Sequence, residues 1–172
     1  MNMLKKKQEE FQGFEKELTH LKEKIKQTHR QETKKSFARM FTGIEGVKQI
    51  FRHELELGKN YLVIGAPKES LDSLGMIFWK NFLTKQKSKG MKGRLIFNDS
   101  LREYAKEIEN PQLNTIRFLK DAFEPLTEII IYDRYVATII WSQEVLATLI
   151  ESEEVAKSYT KYFELLWKQT LK

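Results

Sequence analysis

The stretch from Leu126 to Trp141, LTEIIIYDRYVATIIW, constrains the fold more than any other part of the chain. It contains two apolar runs, Glu128 to Tyr132 and Tyr135 to Trp141, joined by Asp133 and Arg134. Ile, Tyr, Val and Thr dominate both runs, and these residue types favour a pleated, well-buried strand. A two-residue connection predicts an antiparallel hairpin, although Asp-Arg lacks the glycine that favoured turns use, so a longer turn stays open. We therefore place this hairpin at the centre of a sheet with helices over both faces.

The chain of 172 residues is long enough for one domain with its own core plus an appendage. No apolar run approaches the roughly 20 residues that span a bilayer, and the charged start MNMLKKKQEE is unlike a signal peptide. The chain has no cysteine, which excludes disulfides and thiolate metal sites and fits a reducing cytosol. We expect a cytoplasmic protein without a membrane segment, a metal or a cofactor.

The first 35 residues predict a long helix. They contain no proline, and from Phe11 the apolar residues are spaced three, four, three and four apart, as a and d positions of a heptad repeat are. This pattern predicts a dimerising coiled coil over residues 1–35, and the alternative is a helix that folds back on its own domain. The predicted interface residues are Leu4, Phe11, Phe14, Leu18, Leu21 and Ile25.

The remaining residues, 36–172, alternate between strand and helix patterns. Such alternation predicts one α/β layered domain with a largely parallel sheet, flanked by helices, and at least one antiparallel pair. Thr42 with Glu45 and Ser100 with Glu103 match capping boxes, and Ser70 and Ser152 are further predicted N-caps. Besides the hairpin, the predicted strands are Phe37–Phe41, Tyr61–Gly65, Gly93–Phe97 and the edge strand Ile116–Leu119, and Gly58 is predicted to end the first helix of the domain.

Motifs of common enzyme chemistry are missing from the sequence. It contains neither GxxxxGK[ST] nor GxGxxG, and GxSxG, HExxH and CxxC are absent too. Between Ser73 and Asn98, however, the chain has six basic residues and no acidic one. Cations near a helix C-terminus complement its dipole, which explains most of them, and an anion-binding face is the alternative. The six are Lys80, Lys85, Lys87, Lys89, Lys92 and Arg94.

One succession of segments resembles the effector domain of archaeal TrmB-family transcriptional regulators. It consists of FTGIEGVKQIF, YLVIGAP, FWKNFLTKQKSKGMKGRLIFND, LTEIIIYDRYVATIIW and YTKYFELLWKQ, within residues 37–172. The resemblance implies a phospholipase-D-like fold, with the heptad helix in the place of that family's dimerising coiled coil. The winged helix that precedes the coiled coil in that family has no counterpart here, so a fragment and a naturally short regulator both stay open.

The resemblance also predicts the absence of catalysis. Catalytic phospholipase-D-like enzymes carry HxKxxxxD, and that spacing falls here on Leu126, Glu128 and Asp133. Leucine cannot attack phosphorus or transfer a proton, and a glutamate in place of the lysine would repel phosphate. Asp133 also has a simpler role as a turn residue between strands. We therefore expect no hydrolase acting through this motif.

The sequence thus favours a non-enzymatic regulatory module that forms a homodimer and senses a small-molecule effector or a partner. Ligands of such sheets bind beyond the carboxyl ends of the strands, and the motif comparison adds one more residue. The alternative is a basic protein that binds nucleic acid or transcription machinery through the leading helix and the Lys80–Arg94 face, and a phosphodiesterase is a remote third hypothesis. The predicted effector-binding residues are Gly65, Ala66, Pro67, Asn98, Asp99 and Asp133.

Overall fold

The computed structural model describes residues 13, 15–24, 36–110, 112–119 and 126–170. The chain divides into two units, Met1–Ser36 and Phe37–Lys172. In the first unit residues 15–24 are helical, and Leu18 and Leu21 have exposed side chains. Leu4, Phe11, Phe14 and Ile25 lie outside the described residues, as does most of the predicted coiled coil, which therefore stays a prediction.

The second unit is built on one seven-stranded sheet. Across it the strands follow the order β1-β7-β6-β5-β2-β3-β4, so the predicted hairpin β5–β6 supplies the middle strand. Its turn has two residues, with Tyr132 paired to Tyr135, and the positive φ of 52° falls on Asp133 alone. The strands are β1 (Phe37–Thr42), β2 (Tyr61–Ala66), β3 (Gly93–Phe97), β4 (Asn114–Phe118), β5 (Thr127–Tyr132), β6 (Tyr135–Ile140) and β7 (Leu146–Glu151).

The prediction of a largely parallel sheet is wrong. Only β2–β3 and β3–β4 are parallel, whereas the other four neighbouring pairs are antiparallel. Neither a strand nor a helix was predicted from the sequence for the residues of β7, Leu146–Glu151. β7 follows β6 after the short connection 141–145, which is too short for the crossover that a parallel pair needs. β1 pairs with β7 and is antiparallel to it, so the sheet contains both parallel and antiparallel pairs.

Helices cover the two faces of the sheet unequally. The helices α1 to α4 contribute to the main core, which includes Ile50, Phe82 and Ala105 against the strand residues Val63 and Ile139. A second core on the other face joins α5 to β3, β5 and β6. The helices are α1 (Gly43–Leu57), α2 (Lys68–Leu74), α3 (Met76–Ser88), α4 (Arg102–Ile108) and α5 (Glu153–Gln169), and a 3-10 turn, Asp99–Leu101, precedes α4.

Three of the predicted helix caps differ from the structure. Thr42 precedes α1 without a side-chain cap hydrogen bond, and the Glu45 side chain pairs with Lys48 at 2.7 Å. Ser70 lies inside α2, where its hydroxyl donates to the Pro67 carbonyl at 2.7 Å, and Ser100 lies in the 3-10 turn rather than at the start of α4.

The end of α1 and the cap of α5 follow the prediction, whereas the break at Gly75 was not predicted. Gly75, with φ 79°, divides the helix that was predicted to begin at Ser70 into two helices, α2 and α3. Gly58, with φ 60°, ends α1 as expected. Ser152 caps α5 by accepting from the Val155 backbone N–H at 3.4 Å.

Candidate functional site

A small cavity lies between the main face of the sheet and its helices. Its volume is about 40 Å³, which is room for roughly two or three water molecules. Apolar side chains form most of the lining, including Phe51, Phe82 and Ile130. Two glutamates, Glu54 and Glu128, also line it. Since charged side chains are almost never fully buried unless they are paired, these two carboxyl groups need an explanation.

Glu54 enters the cavity from α1 at the end of a hydrogen-bond chain. The Gln86 amide donates to Glu54 Oε1 at 2.9 Å, and the Tyr61 hydroxyl donates to Gln86 Oε1 at 3.0 Å. Burial raises the pKa of Glu54 to about 8; the hydrogen bond from Gln86 opposes this rise, and the charge of Glu128 adds to it. Glu54 therefore holds a proton at neutral pH.

Glu128 enters the cavity from β5. The Trp141 indole N–H donates to Glu128 Oε2 at 2.8 Å, and both side chains are buried. Burial raises the pKa of Glu128 to about 7, against the effect of the Trp141 hydrogen bond. The carboxyl group is therefore close to half-protonated at neutral pH, and it faces the cavity instead of solvent.

The three residues at the HxKxxxxD spacing do not form a site. Leu126 is exposed where β5 begins, Glu128 is buried, and Asp133 is exposed in the turn after β5. Leu126 and Asp133 lie at opposite ends of β5, six residues long, which separates them by roughly 20 Å. No substrate phosphate can contact these three positions together.

The other predicted effector-binding residues gather at the end of the sheet where β2 and β3 finish. Gly65, with φ 74°, sits in an irregularity of β2 and leads into Ala66 and Pro67. Asn98 and Asp99 follow β3 at the same end, because β2 and β3 are parallel. Asp133 lies at the other end, since β5 runs antiparallel to β2 and Tyr132 pairs with Tyr61.

Asn98 has unused hydrogen-bonding capacity. Its side chain is buried, and neither its amide nitrogen nor its amide oxygen has a partner in the part of the chain that the structure describes. Asp99, in contrast, is exposed and accepts from Arg102 Nε at 2.6 Å. Binding of an effector at this end of the sheet stays a prediction.

Sequence reasoning missed Glu54, Tyr61 and Gln86, which line the cavity together with Glu128. It also missed Trp141, which does not line the cavity but donates to Glu128. Glu54 had a readable signal, because it follows Val47, Ile50 and Phe51 at helical spacing on the buried face of α1. A carboxyl at such a position must be buried. Its link to Gln86 had no local signal, since the two residues are 32 positions apart.

Two further features are absent from the residues that the structure describes. They contain no group of three or more His, Cys, Asp or Glu side chains placed to hold a metal ion. No described helix is both long enough and apolar enough to cross a membrane.

Comparison with known proteins shows similarity at the level of fold. No family model and no curated protein sequence matches the chain. Among solved structures, TrmBL2, described as an archaeal chromatin protein with a novel mode of DNA binding, aligns with a TM-score of 0.56 and 17% identity over 99% of this chain and 69% of its own. NucT from Helicobacter pylori aligns with a TM-score of 0.56 and 10% identity over 80% and 99% of the two chains.

A third structure belongs to the same fold group. Nuc from Salmonella typhimurium, a phospholipase D family member, aligns with a TM-score of 0.52 and 12% identity over 80% of this chain and 97% of its own. These similarities support a phospholipase-D-like fold for the mixed sheet of this chain.

Proposed function

We propose that this chain is a non-catalytic regulatory module on a phospholipase-D-like scaffold, which assembles with a second copy and responds to an effector or a partner. The observation that carries the proposal is the place of Glu128. At the position where a catalytic enzyme of this fold group has a phosphate-binding lysine, this chain has a buried carboxyl group bonded to Trp141. A group that is buried and hydrogen-bonded inside the core cannot contact a phosphodiester.

The likeness to TrmBL2 supports the regulatory half of the proposal. That structure is described as a chromatin protein that binds DNA, and the alignment covers nearly the whole of this chain. The leading segment, residues 1–35, is the assembly element that the heptad spacing predicts. A homodimer of this kind would hold two copies of the domain at a fixed separation, which is what a two-fold DNA site requires.

The effector site fits the carboxyl end of β2 and β3 better than the cavity. Pockets for small molecules have volumes of roughly 300–1,000 Å³, whereas the cavity has about 40 Å³. At the strand ends, Asn98 offers an amide with no partner among the described residues. Such a group gains a hydrogen bond when a ligand binds, so it favours the liganded state.

The experiment that tests the non-catalytic half is a hydrolysis assay. The full chain is incubated with bis(4-nitrophenyl) phosphate and with DNA, beside the Asp133→Ala variant. We expect both proteins to match the buffer blank. Turnover by the full chain that the Asp133→Ala variant lacks would show a working phosphodiesterase and refute the proposal.

A second candidate function is direct binding to nucleic acid, and the surface lysines favour it. Among the six basic residues between Ser73 and Asn98, Lys80 pairs with Glu107 at 3.8 Å and Arg94 pairs with Glu164. The other four are exposed and have no carboxylate partner among the described residues: Lys85, Lys87, Lys89 and Lys92.

These four lysines, the basic edge, lie at the end of α3 and just before β3. A polar groove of about 470 Å³ is lined by one of the four, Lys92, and by Arg94. Exposed cations without a carboxylate partner suit a phosphate backbone, whose contacts release counterions and make binding depend strongly on salt.

A further inference from the structure

The second face of the sheet is only partly covered by the helices that the structure describes. Seven strands about 4.8 Å apart make a sheet roughly 29 Å wide, whereas one helix covers roughly 10 Å. α5 packs over Ile96, Ile131 and Val136, which belong to β3, β5 and β6. The helices α1 to α4 pack on the main face. Among the described residues, β1 and most of β7 therefore have no helix above them on the second face.

The uncovered part of this face carries no charge. Ala147 and Leu149 of β7 belong to the main core, so alternation turns the residues between and beside them to the second face. The strand register then aligns Met40 of β1 with Thr148 of β7, and Ile140 of β6 with Leu146. We call this surface the neutral face and define it by six residues: Ala38, Met40, Ile140, Leu146, Thr148 and Ile150.

The neutral face is open to solvent and has an apolar wall. Met40 is 69% exposed and Ile140 is 39% exposed. The ion pair between Arg94 and Glu164 joins one flank of α5 to β3. Tyr162 precedes Glu164 by two residues, or about 200° around a helix, so it lies on the other flank, toward β6 and β7. Its side chain is 59% exposed. Sheet and helix together form an uncharged groove beside α5.

We propose that the leading helix of a second copy of this chain packs along the neutral face. The inference rests on the proposed assembly role and names the surface that carries it. In the leading helix, Leu18 is 52% exposed and Leu21 is 58% exposed, so the described part of its apolar stripe is unburied. An uncharged groove and an unburied apolar stripe, present on the same chain, are complementary in chemistry.

The dimensions of stripe and groove agree. The heptad spacing predicts a stripe that spans 14 residue steps from Phe11 to Ile25, which would extend over roughly 21 Å if all of it were helical. β1 has six residues, which extend over roughly 20 Å. A helix laid on the neutral face would continue the layer that α5 begins.

The composition of the stripe favours a sheet over a second helix as its partner. Tight dimeric coiled coils prefer Ile, Val and Leu at the a and d positions, whereas this stripe places Phe11 and Phe14 there. Large rings suit a flat floor of small and aliphatic side chains, such as Ala38 and Ile150, on which they bury more apolar area.

A cross-linking experiment tests the contact. Because the chain has no cysteine, an engineered cysteine is the only thiol in each variant. Leu21→Cys and Met40→Cys variants are purified, mixed, allowed to exchange subunits and oxidised. We expect a disulfide-linked dimer in the mixture and little linkage in either variant alone. Linkage in Leu21→Cys alone, at the level seen in the mixture, would show helix-on-helix pairing and overturn the inference.

A charge substitution supplies the second readout on the full-length chain. Met40→Glu places a carboxylate on the neutral face and is expected to reduce the mass in sedimentation from dimer to monomer. Ile77→Glu is the matched control, since Ile77 is 79% exposed on α3, away from this face, and its mass stays that of a dimer. A dimeric Met40→Glu variant, or a monomeric unsubstituted chain, contradicts the inference. Hydrolysis of a phosphodiester would refute the proposed non-catalytic function, but it would not change the result of the cross-linking or the sedimentation experiment.

Discussion

Trp141 holds Glu128 from across the central hairpin, with 2.8 Å between the indole nitrogen and the carboxyl oxygen Oε2. Glu128 lies near the start of β5, and Trp141 directly follows β6. The backbone N–H of Trp141 also donates to the Leu126 carbonyl at 2.8 Å, which closes the open end of the hairpin. Glu128 is therefore tied into the core by the residue that directly follows the neighbouring strand.

Two substitutions of Glu128 test separately whether folding depends on the size of this side chain or on its charge. Glu128→Gln keeps the length of the side chain and is expected to change the free energy of unfolding by less than about 1.5 kcal/mol. Glu128→Lys puts an ammonium group beside the Trp141 N–H donor and is expected to cost about 3–5 kcal/mol. Urea denaturation measures both.

Glu144→Lys is the control for that comparison, because Glu144 is exposed and the change of charge is the same. It is expected to stay within about 0.5 kcal/mol of the unsubstituted chain. If Glu128→Lys were as stable as Glu144→Lys, position 128 would have access to solvent, contrary to the structure.

The stability of the chain should fall as pH rises from 4.5 to about 8. The pKa of Glu54 is raised from 4.5 to about 8 and that of Glu128 to about 7, both by burial. Over this range the folded chain keeps protons that the unfolded chain releases, so each group lowers the free energy of unfolding by up to about 1.4 kcal/mol per pH unit. Glu45 and Glu164 have lowered pKa values and act below 4.5, outside the range.

Thermal unfolding at several pH values and constant ionic strength measures this slope. In the Glu54→Gln, Glu128→Gln double variant the slope is expected to flatten, because the amides do not titrate. A slope that the double variant retains would assign the effect to other groups.

Gly93→Ala should destabilise the domain. A Cβ on Gly93 would lie 2.4 Å from the Tyr61 ring, which is buried and donates its hydroxyl proton to Gln86. Moving the ring costs about 1–3 kcal/mol by overpacking and weakens the hydrogen-bond chain to Glu54. Gly13→Ala is the control, since a Cβ there has no neighbour within 4 Å. Equal melting temperatures for the two variants would contradict the packing of Tyr61.

The basic edge should give weak, salt-dependent DNA binding. Each lysine that contacts a phosphate contributes about 0.9 to the slope of log affinity against log salt. Replacing Lys85, Lys87, Lys89 and Lys92 with glutamine is expected to reduce that slope by roughly 2–4, as measured by fluorescence anisotropy on duplex DNA between about 50 and about 200 mM salt.

Lys106→Gln is the matched control for DNA binding, because Lys106 is exposed but pairs with Glu103 at 2.6 Å. Its slope should equal that of the unsubstituted chain. If the DNA affinity did not change with salt concentration, phosphate contacts through the basic edge would be excluded.

The sequence predicted the central hairpin and both edge strands, but it missed β7, the strand between β1 and β6, for a physical reason. The β5–β6 hairpin was readable because Ile, Tyr and Val fill both runs. β7, LATLIE, was missed because Ala, Leu and Glu favour helix, and only its place beside β6 makes it a strand. Without β7, the antiparallel half of the sheet could not be predicted.

The sequence predicted that some of the candidate effector-binding residues lie close together, but it did not predict the cavity. Gly65, Ala66, Pro67, Asn98 and Asp99 come together because parallel strands end on the same side of a sheet. Asp133 was grouped with them by motif spacing, and the antiparallel direction of β5 places it at the opposite end. The cavity depends on contacts such as Gln86 to Glu54, which no local pattern encodes.

The most direct test of the central claim is a site-resolved titration of Glu128 by carbon-13 NMR on the side-chain carboxyl group. If position 128 is a buried structural carboxyl, its resonance titrates near pH 7, as its raised pKa requires, and added phosphodiester does not shift it. Titration near the ordinary value of 4.5, or a shift on addition of phosphodiester, would place Glu128 in an open site and contradict a non-catalytic scaffold.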